Sequence, residues 1–391
     1  MTSATRSESS RPTYRHFHRI AWMAVGLALS IIVFGAFVRL SHAGLSCPDW
    51  PTCYGRATWP AHAGEAADHA ATAVRVFEDS KAWREQVHRH LAAILGVIVL
   101  VLALLGARRR RYGIAQVLAA ATLVGLSIPL YMQANYTTAA VLAIAGELIL
   151  LAAVVRWNDT DLARISALTL MVIIVQALLG LWTVTWLLKP IVVMAHLLGG
   201  LTTFSLLLWM AWRATDLPIR LAQARELRRW LWIALAVLGV QIALGGWVSA
   251  NYAALACGTY FPTCAGTWTP PADFREGFVL WRGIGVDFEG GVLDGASRIA
   301  IQLAHRIGAV VATLVLAALA LRLLRTPGLR GWGALVALLT IVQVSLGIAN
   351  VQMSLPLGVA VAHNAGAALL LAALVTLLAR LKPPRVAAAA A

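Results

Sequence analysis

The feature that most restricts this chain is a series of apolar runs too long to be strands or ordinary core helices. Ala21–Val38 carries no charge over 18 residues, and Leu91–Leu105 and Ala365–Ala379 belong to longer spans of the same character. About 18 or more apolar residues in a row read as a helix that crosses a bilayer, because a helix satisfies its own backbone hydrogen bonds inside hydrocarbon. Composition agrees: 60% of the chain is hydrophobic and 13% charged, against roughly half and a quarter in soluble domains. A transmembrane β-barrel would alternate polar and apolar residues in short segments, and this sequence does not. The expected fold is an all-α polytopic membrane protein with ten spans, at 19–40, 87–107, 113–133, 138–156, 163–187, 190–212, 229–250, 298–323, 331–352 and 357–380.

The formal net charge of +15 raises the question of nucleic acid, but the distribution of charge answers it. Arg and Lys gather at Arg108–Arg111, from Arg213 to Arg229, from Arg322 to Arg330 and from Arg380 to Arg385, on every second turn between spans. That is the positive-inside pattern. It points to membrane lipid rather than nucleic acid, with both termini cytoplasmic and the two long loops, 41–86 and 251–297, on the outer side. The polar N-terminus, with Arg6, Arg11, Arg15 and Arg19, leads into the first span without a small-residue cleavage site. Arg and Ser also suit a mitochondrial transit peptide, but the segment is short and contains Glu8. The expected location is a bacterial inner membrane, with the cysteine loops periplasmic.

The chain repeats itself. FGAFVRLSHAGLSCPDWPTCYG (34–55) matches LGGWVSANYAALACGTYFPTCAG (244–266), EQVHRHLAAILG (85–96) matches QLAHRIGAVV (302–311), and VQALLGLWTVTWLLKPIVVMAHLLGG (175–200) matches VQVSLGIANVQMSLPLGVAVAHNAGA (342–367). His88 to His196 is 108 residues, whereas His305 to His363 is 58; the excess of 50 is about the length of 111–160. The expected organisation is a tail (1–18), an N-terminal four-helix bundle (19–212) with an inserted transmembrane hairpin (111–160), a linker (213–228), a pseudo-symmetric C-terminal bundle (229–382) and a tail (383–391). An even number of inserted spans leaves the downstream orientation unchanged, as parallel repeats require.

His88, His196, His305 and His363 each lie in an apolar span, where ionisable groups are costly and mark function by default. His88 falls a residue or two into its expected span, and the other three six or seven residues in, about 10 Å deep. Two histidines on facing helices suit a haem iron with two axial imidazoles. Zinc is the rival, but no third ligand repeats. The small residues of HLLGG (196–200) and HNAGAA (363–368) either let a flat macrocycle approach the backbone or serve ordinary helix packing; both readings stand at this point. Arg89 and Arg306 follow their histidines and are candidate propionate contacts, or snorkel to lipid headgroups. Glu85 lies one turn before His88 on the same face, and its counterpart is Gln302. A carboxylate can act as a base or an electrostatic stabiliser, and a Gln cannot, so the halves are expected to differ in role. The competing reading of Glu85 is a helix start suited to the dipole. Arg39 and His42 close the first span opposite Ser249 and Tyr252; they serve the site or are simply interfacial. His90 points away from His88.

The four cysteines form two pairs, Cys47/Cys53 and Cys257/Cys264. In an oxidising outer compartment they read as two intra-loop disulfides. The second is the natural structural staple; a redox role is more plausible for the first, beside Glu85 and His88, if its disulfide is readily reduced.

Taken in this order, these motifs resemble the haem A synthase family over nearly the whole chain outside the 111–160 insert and the termini. The resemblance implies two four-helix bundles in pseudo-symmetry and the oxidation of a methyl group of haem O to a formyl group, giving haem A for terminal oxidases. It implies that His88 and His196 flank the substrate haem, that Glu85 is the essential carboxylate, and that His305 and His363 ligate the iron of a haem b cofactor. It also matches Cys47/Cys53 and Cys257/Cys264 to the family's loop pairs. The expected partners are haem O, haem O synthase and the cytochrome oxidase assembly machinery, with a homo-oligomer as a further option. The inserted hairpin departs from the family's eight-span core. A bis-histidine two-haem cytochrome linking quinone to a periplasmic thiol pair is the alternative. A parallel-repeat transporter is disfavoured, because Glu147 is the one acidic residue deep in a span and has no repeat partner.

Overall fold

The computed structural model describes residues 15–66, 77–158 and 162–384; most of each expected terminal tail lies outside them. The elements in chain order are α1 (Arg15–Leu40), α2 (Ala63–Ala66), α3 (Asp79–Ala107), α4 (Gly113–Met132), α5 (Tyr136–Arg156), α6 (Ala163–Thr185), α7 (Pro190–Thr215), β1 (Ile219–Arg220), α8 (Ala224–Ala250), α9 (Phe274–Gly277), α10 (Gly295–Arg325), α11 (Arg330–Gln352), α12 (Leu357–Arg380) and β2 (Leu381–Lys382). All but α2 and α9 among the helices are long and apolar enough to cross a membrane. The protein is an all-α polytopic membrane protein.

Several helices begin earlier than the apolar pattern indicates: α3 at Asp79 rather than 87, α8 at Ala224 rather than 229, α10 at Gly295 rather than 298. Hydropathy marks the stretch that needs lipid, but backbone hydrogen bonding carries the helix on through its polar first turns. At α10 the added turn is capped by Asp294, whose carboxylate accepts from the Ser297 amide at 2.7 Å; this bond holds the carboxyl below its ordinary pKa.

Helices α1, α3, α6 and α7 pack as one ring of neighbours, and α8, α10, α11 and α12 as another; α7 and α1 meet α12, and α7 meets α8. The α4–α5 hairpin packs outside the first ring, against α3 and α6. Each ring is dry at the arginine-rich end. There Ala21, Ala24, Val99, Leu102, Phe204 and Leu207 fill the first, and Leu231, Leu316, Leu319, Val336 and Leu374 the second. Alanine-rich surfaces let helices approach closely where lipid supplies no hydrophobic drive. At this end the indole N–H of Trp212 donates to Thr376 Oγ1 at 3.0 Å across the two rings. The short parallel β1–β2 pair ties the linker to the end of α12.

At the cysteine-loop end the rings meet through corresponding positions of the repeat. Arg39 donates to the Ser249 carbonyl at 2.8 Å and to Tyr252 Oη at 3.0 Å, and the His42 and Tyr252 rings stack with centroids 6.1 Å apart. Matched residues of two repeats can touch only near the axis that relates them. The long α8–α10 connection crosses to the first ring, where the Phe288 amide donates to the Leu187 carbonyl at 3.1 Å and its ring is buried with Leu45, Val184 and Leu188.

Within the inserted hairpin, a Cβ at Gly146 would lie 2.9 Å from the Ala120 carbonyl and 2.9 Å from Val124 Cγ2, so α4 and α5 are in backbone contact there. Gly146→Leu is expected to destabilise the protein by about 1–3 kcal/mol through overpacking, seen as a lower thermal midpoint in detergent by tryptophan fluorescence. An unchanged midpoint would contradict that contact.

Candidate functional site

The four histidines line a single cavity of about 2090 Å³, roughly twice the upper end of ordinary ligand pockets at about 1,000 Å³. It occupies the half of the membrane toward the cysteine loops, where the rings are hollow rather than dry. His88 is the tenth residue of α3 and His305 the eleventh of α10; His196 and His363 are each the seventh of α7 and α12. His88, expected a residue or two into its apolar span, lies ten residues into its helix, because α3 begins with polar turns ahead of that span. His88 and His196 reach the cavity from α3 and α7 of the first ring, and His305 and His363 from α10 and α12 of the second.

Each imidazole has a glycine opposite it on the neighbouring helix. An added Cβ would come within 2.8 Å of the His88 ring at Gly35, 3.2 Å of His196 at Gly180, 3.1 Å of His305 at Gly245 and 3.1 Å of His363 at Gly347. A helix pair has room for an inward imidazole only where the facing residue has no side chain. One turn before three of these glycines stands a glutamine that reaches the histidine. Gln176 Nε2 donates to the His196 carbonyl at 2.8 Å. Gln241 Nε2 donates to the His305 carbonyl and contacts its Nδ1, both at 3.1 Å. Gln343 Nε2 lies 3.4 Å from His363 Nε2. The amide oxygens rest against Gly199, Gly308 and Gly366, where a Cβ would overlap them. Of the small residues after His196 and His363, Gly199 and Gly366 make room for a glutamine from the next helix, while Gly200 and Ala367 line the cavity. Sequence reasoning missed the glutamines, although the run V-Q-x-x-x-G occurs three times, at 175–180, 240–245 and 342–347.

Glu85 is buried on the cavity wall. Its Oε2 accepts from the Cys47 amide at 2.8 Å and from Ser46 Oγ at 3.0 Å, and its Oε1 pairs with Arg89 at 2.6 Å. It stands in the second turn of α3, beyond the first-turn reach of the dipole, so the helix-start reading does not hold. Arg89 also donates to the carbonyls of Asp49 and Thr52, each at 2.7 Å, and of Cys47 at 3.2 Å. The loop between Cys47 and Cys53, which are disulfide-bonded, is thus held directly above the carboxylate.

In the second half Arg306 makes the matching contacts, to the carbonyls of Thr263 at 2.9 Å, Tyr260 at 3.0 Å and Pro262 at 3.4 Å, over the Cys257–Cys264 disulfide. Gln302 takes the place of Glu85, is buried, and its Oε1 has no partner. Both arginines are directed at their loops. His90 is exposed, as is His42, which stacks on Tyr252. Glu147 lies in the insert, half-buried, with Oε1 unpartnered.

The donor set fits haem. Among the described residues no three His, Cys, Asp or Glu side chains approach closely enough to hold a bare metal ion, whereas a macrocycle brings four nitrogens of its own and asks the protein for two axial ligands at most. His88, His196 and His363 each keep a buried Nδ1 without a partner, and in His305 Gln241 takes Nδ1 and leaves Nε2.

Comparison with known proteins gives the lineage. Residues 18–375 match the model of COX15-CtaA, described as cytochrome oxidase assembly protein. The chain belongs to this family. A heme A synthase of Shewanella oneidensis is 38% identical over 353 residues, covering 89% of this chain and 92% of the relative. A heme A synthase of a Caulobacter species is 27% identical over 98% of this chain and all of the relative, and one of Rhodospirillum centenum is 37% identical over 41% of each.

The two arginines provide a test of the inequality between the loops. Arg89→Ala leaves the Glu85 carboxylate buried and unpaired, a loss of about 3–5 kcal/mol. Arg306→Ala removes hydrogen bonds to carbonyls and a contact with the Phe261 ring but strands no charge, about 1.5–3 kcal/mol. Arg89→Ala is expected to lower the thermal midpoint more and to expose its disulfide to mild reductant and alkylation; equal shifts would contradict the buried pair.

Proposed function

We propose that the protein is a haem A synthase, a membrane oxidoreductase that converts a methyl substituent of haem O to the formyl group of haem A for terminal oxidases. The observation that carries this reading is the inequality of two histidine sites at corresponding places of the repeat, Glu85 against Gln302, in a chain of this family whose relatives bear that name. The half comprising 19–212 is the substrate half, with His88 and His196 as ligands of haem O. The half comprising 229–382 holds haem b on His305 and His363.

The bound haem supplies the iron redox chemistry that side chains lack. The protein's part is position and electrostatics. Gly35, Gly180, Gly245 and Gly347 let the imidazoles face inward. The apolar wall of the cavity excludes water and strengthens every charge inside it. Glu85 holds a carboxylate at the wall of the substrate half, fixed by the Cys47 amide, Ser46 and Arg89, where it can take up a proton or stabilise positive charge at the reacting edge. Arg306, whose Nε–H has no partner, is the better propionate contact of the two arginines, since Arg89 is committed to Glu85 and its loop. The arginine-rich end lies in the cytoplasm and the cysteine loops face the periplasm of a bacterial inner membrane. Haem O synthase is the source of substrate, oxidase assembly factors receive the product, and self-association remains a further proposal. A two-haem electron-transfer cytochrome requires equivalent halves, and Glu85 argues against it.

Pigment analysis of purified protein tests the reading. Glu85→Gln is expected to abolish haem A formation while both haems still bind. His88→Ala or His196→Ala is expected to lose haem O and haem A, and His305→Ala or His363→Ala to lose haem b. Normal haem A output from Glu85→Gln would sink the catalytic role of the carboxylate.

A further inference from the structure

Three of the four histidines share one device, and the fourth lacks it. Gln241 Nε2 reaches the ring and carbonyl of His305, Gln343 Nε2 lies 3.4 Å from the His363 ring, and Gln176 Nε2 holds the backbone carbonyl of His196; each seats its amide oxygen against the glycine three residues beyond the histidine, Gly308, Gly366 or Gly199. At His88 the facing glycine is present, Gly35, but the residue one turn before it is Ile31 and the residue three beyond His88 is Leu91. Ile31 belongs to the buried apolar cluster of the first ring and Leu91 packs against it, so neither an amide nor the space for one exists. Nδ1 of His88 is buried without a partner, as it is in His196 and His363, so what sets His88 apart is the missing amide.

Groups that hold an imidazole from behind, as Gln241 and Gln343 do, fix its orientation, and losing them typically costs about 10–100-fold in metal affinity; Gln176 acts one step back, fixing the backbone that carries His196. We infer that Gln176, Gln241 and Gln343 are positioning residues for three persistent haem ligands, and that the Ile31/Leu91 pair leaves His88 as the exchangeable ligand of the substrate half. The inference rests on the haem reading above and deepens it. The C-terminal half has both histidines braced, as suits a cofactor that stays. The N-terminal half has one braced ligand, His196, and one free to leave, as suits a haem that must arrive, be altered and depart. The free face is the one that carries Glu85, since His88 and Glu85 lie one turn apart on α3 and both line the cavity. Ile31 and Leu91 are thereby residues that tune the site without being its ligands.

The test is carbon monoxide binding to the dithionite-reduced holo-protein, followed by the Soret band, together with the rate of haem transfer to apomyoglobin; His196→Ala, which empties the N-terminal half, assigns the signals. In the wild type, carbon monoxide is expected to bind the N-terminal haem alone. Ile31→Gln combined with Leu91→Gly installs the missing brace and is expected to weaken carbon monoxide binding and slow haem transfer from that half by about 10–100-fold. Gln343→Leu removes a brace and is expected to make the C-terminal haem bind carbon monoxide. Wild-type protein in which both haems bind carbon monoxide equally, or a double variant that retains haem with unchanged reactivity, would overturn the inference. Should the double variant not fold, a C-terminal haem still silent to carbon monoxide in Gln343→Leu and in Gln241→Leu overturns it as well. Wild-type protein that holds no haem would instead overturn the functional reading itself.

Discussion

In this protein each inward imidazole faces a position where the neighbouring helix has given up its side chain. Four glycines, Gly35, Gly180, Gly245 and Gly347, make that concession, and the plan of the molecule follows from it. Each removes bulk from a helix crossing in the half of the membrane toward the cysteine loops, and the space so released joins into one large cavity. The opposite half carries no such burden and closes into dry alanine and leucine packing. Stability is thus concentrated at one end of the helices and chemistry at the other. The cysteine loops, pinned by Arg89 and Arg306, cover the end that packing leaves open.

The fold was largely legible in the sequence because membrane insertion is a strong and simple constraint. The lengths of the apolar runs, the arginine clusters between alternate spans and the repeated motifs lead to ten helices in the right order, with the hairpin of α4 and α5 set apart. Helix starts were less legible. Hydropathy is blind to polar turns that backbone hydrogen bonds carry beyond the apolar stretch, and for this reason α3 begins eight residues before the apolar span that marks it in the sequence.

The site was legible in its ionisable residues and not in its supports. Histidines, a glutamate and an arginine inside apolar spans stand out from their neighbours. Gln176, Gln241 and Gln343 did not, because one neutral amide in a helix is unremarkable until its partner on another helix is known. Gly199 and Gly366, from the two small-residue runs noted in the sequence, accommodate the amides of Gln176 and Gln343, and Gly308, which no such run marked, accommodates that of Gln241. Likewise, nothing in the run from Ser46 to Cys53 announced that the Cys47 amide and Ser46 hydroxyl would be spent on Glu85, since that bond depends on how the loop folds back over α3.

The contacts at the pseudo-axis have a consequence for how such a protein could arise. In a dimer of two identical halves, each residue near the two-fold axis faces its own copy. Arg39 would then confront a second arginine, in a region of low dielectric where like charges repel strongly. In the single chain it meets the carbonyl of Ser249 and the hydroxyl of Tyr252 instead, an arrangement that no symmetric pair could adopt. Joining the halves into one polypeptide released these positions from having to match themselves. The same release allows a carboxylate, Glu85, on one side of the molecule and an amide, Gln302, on the other, a difference that two copies of one sequence could not hold.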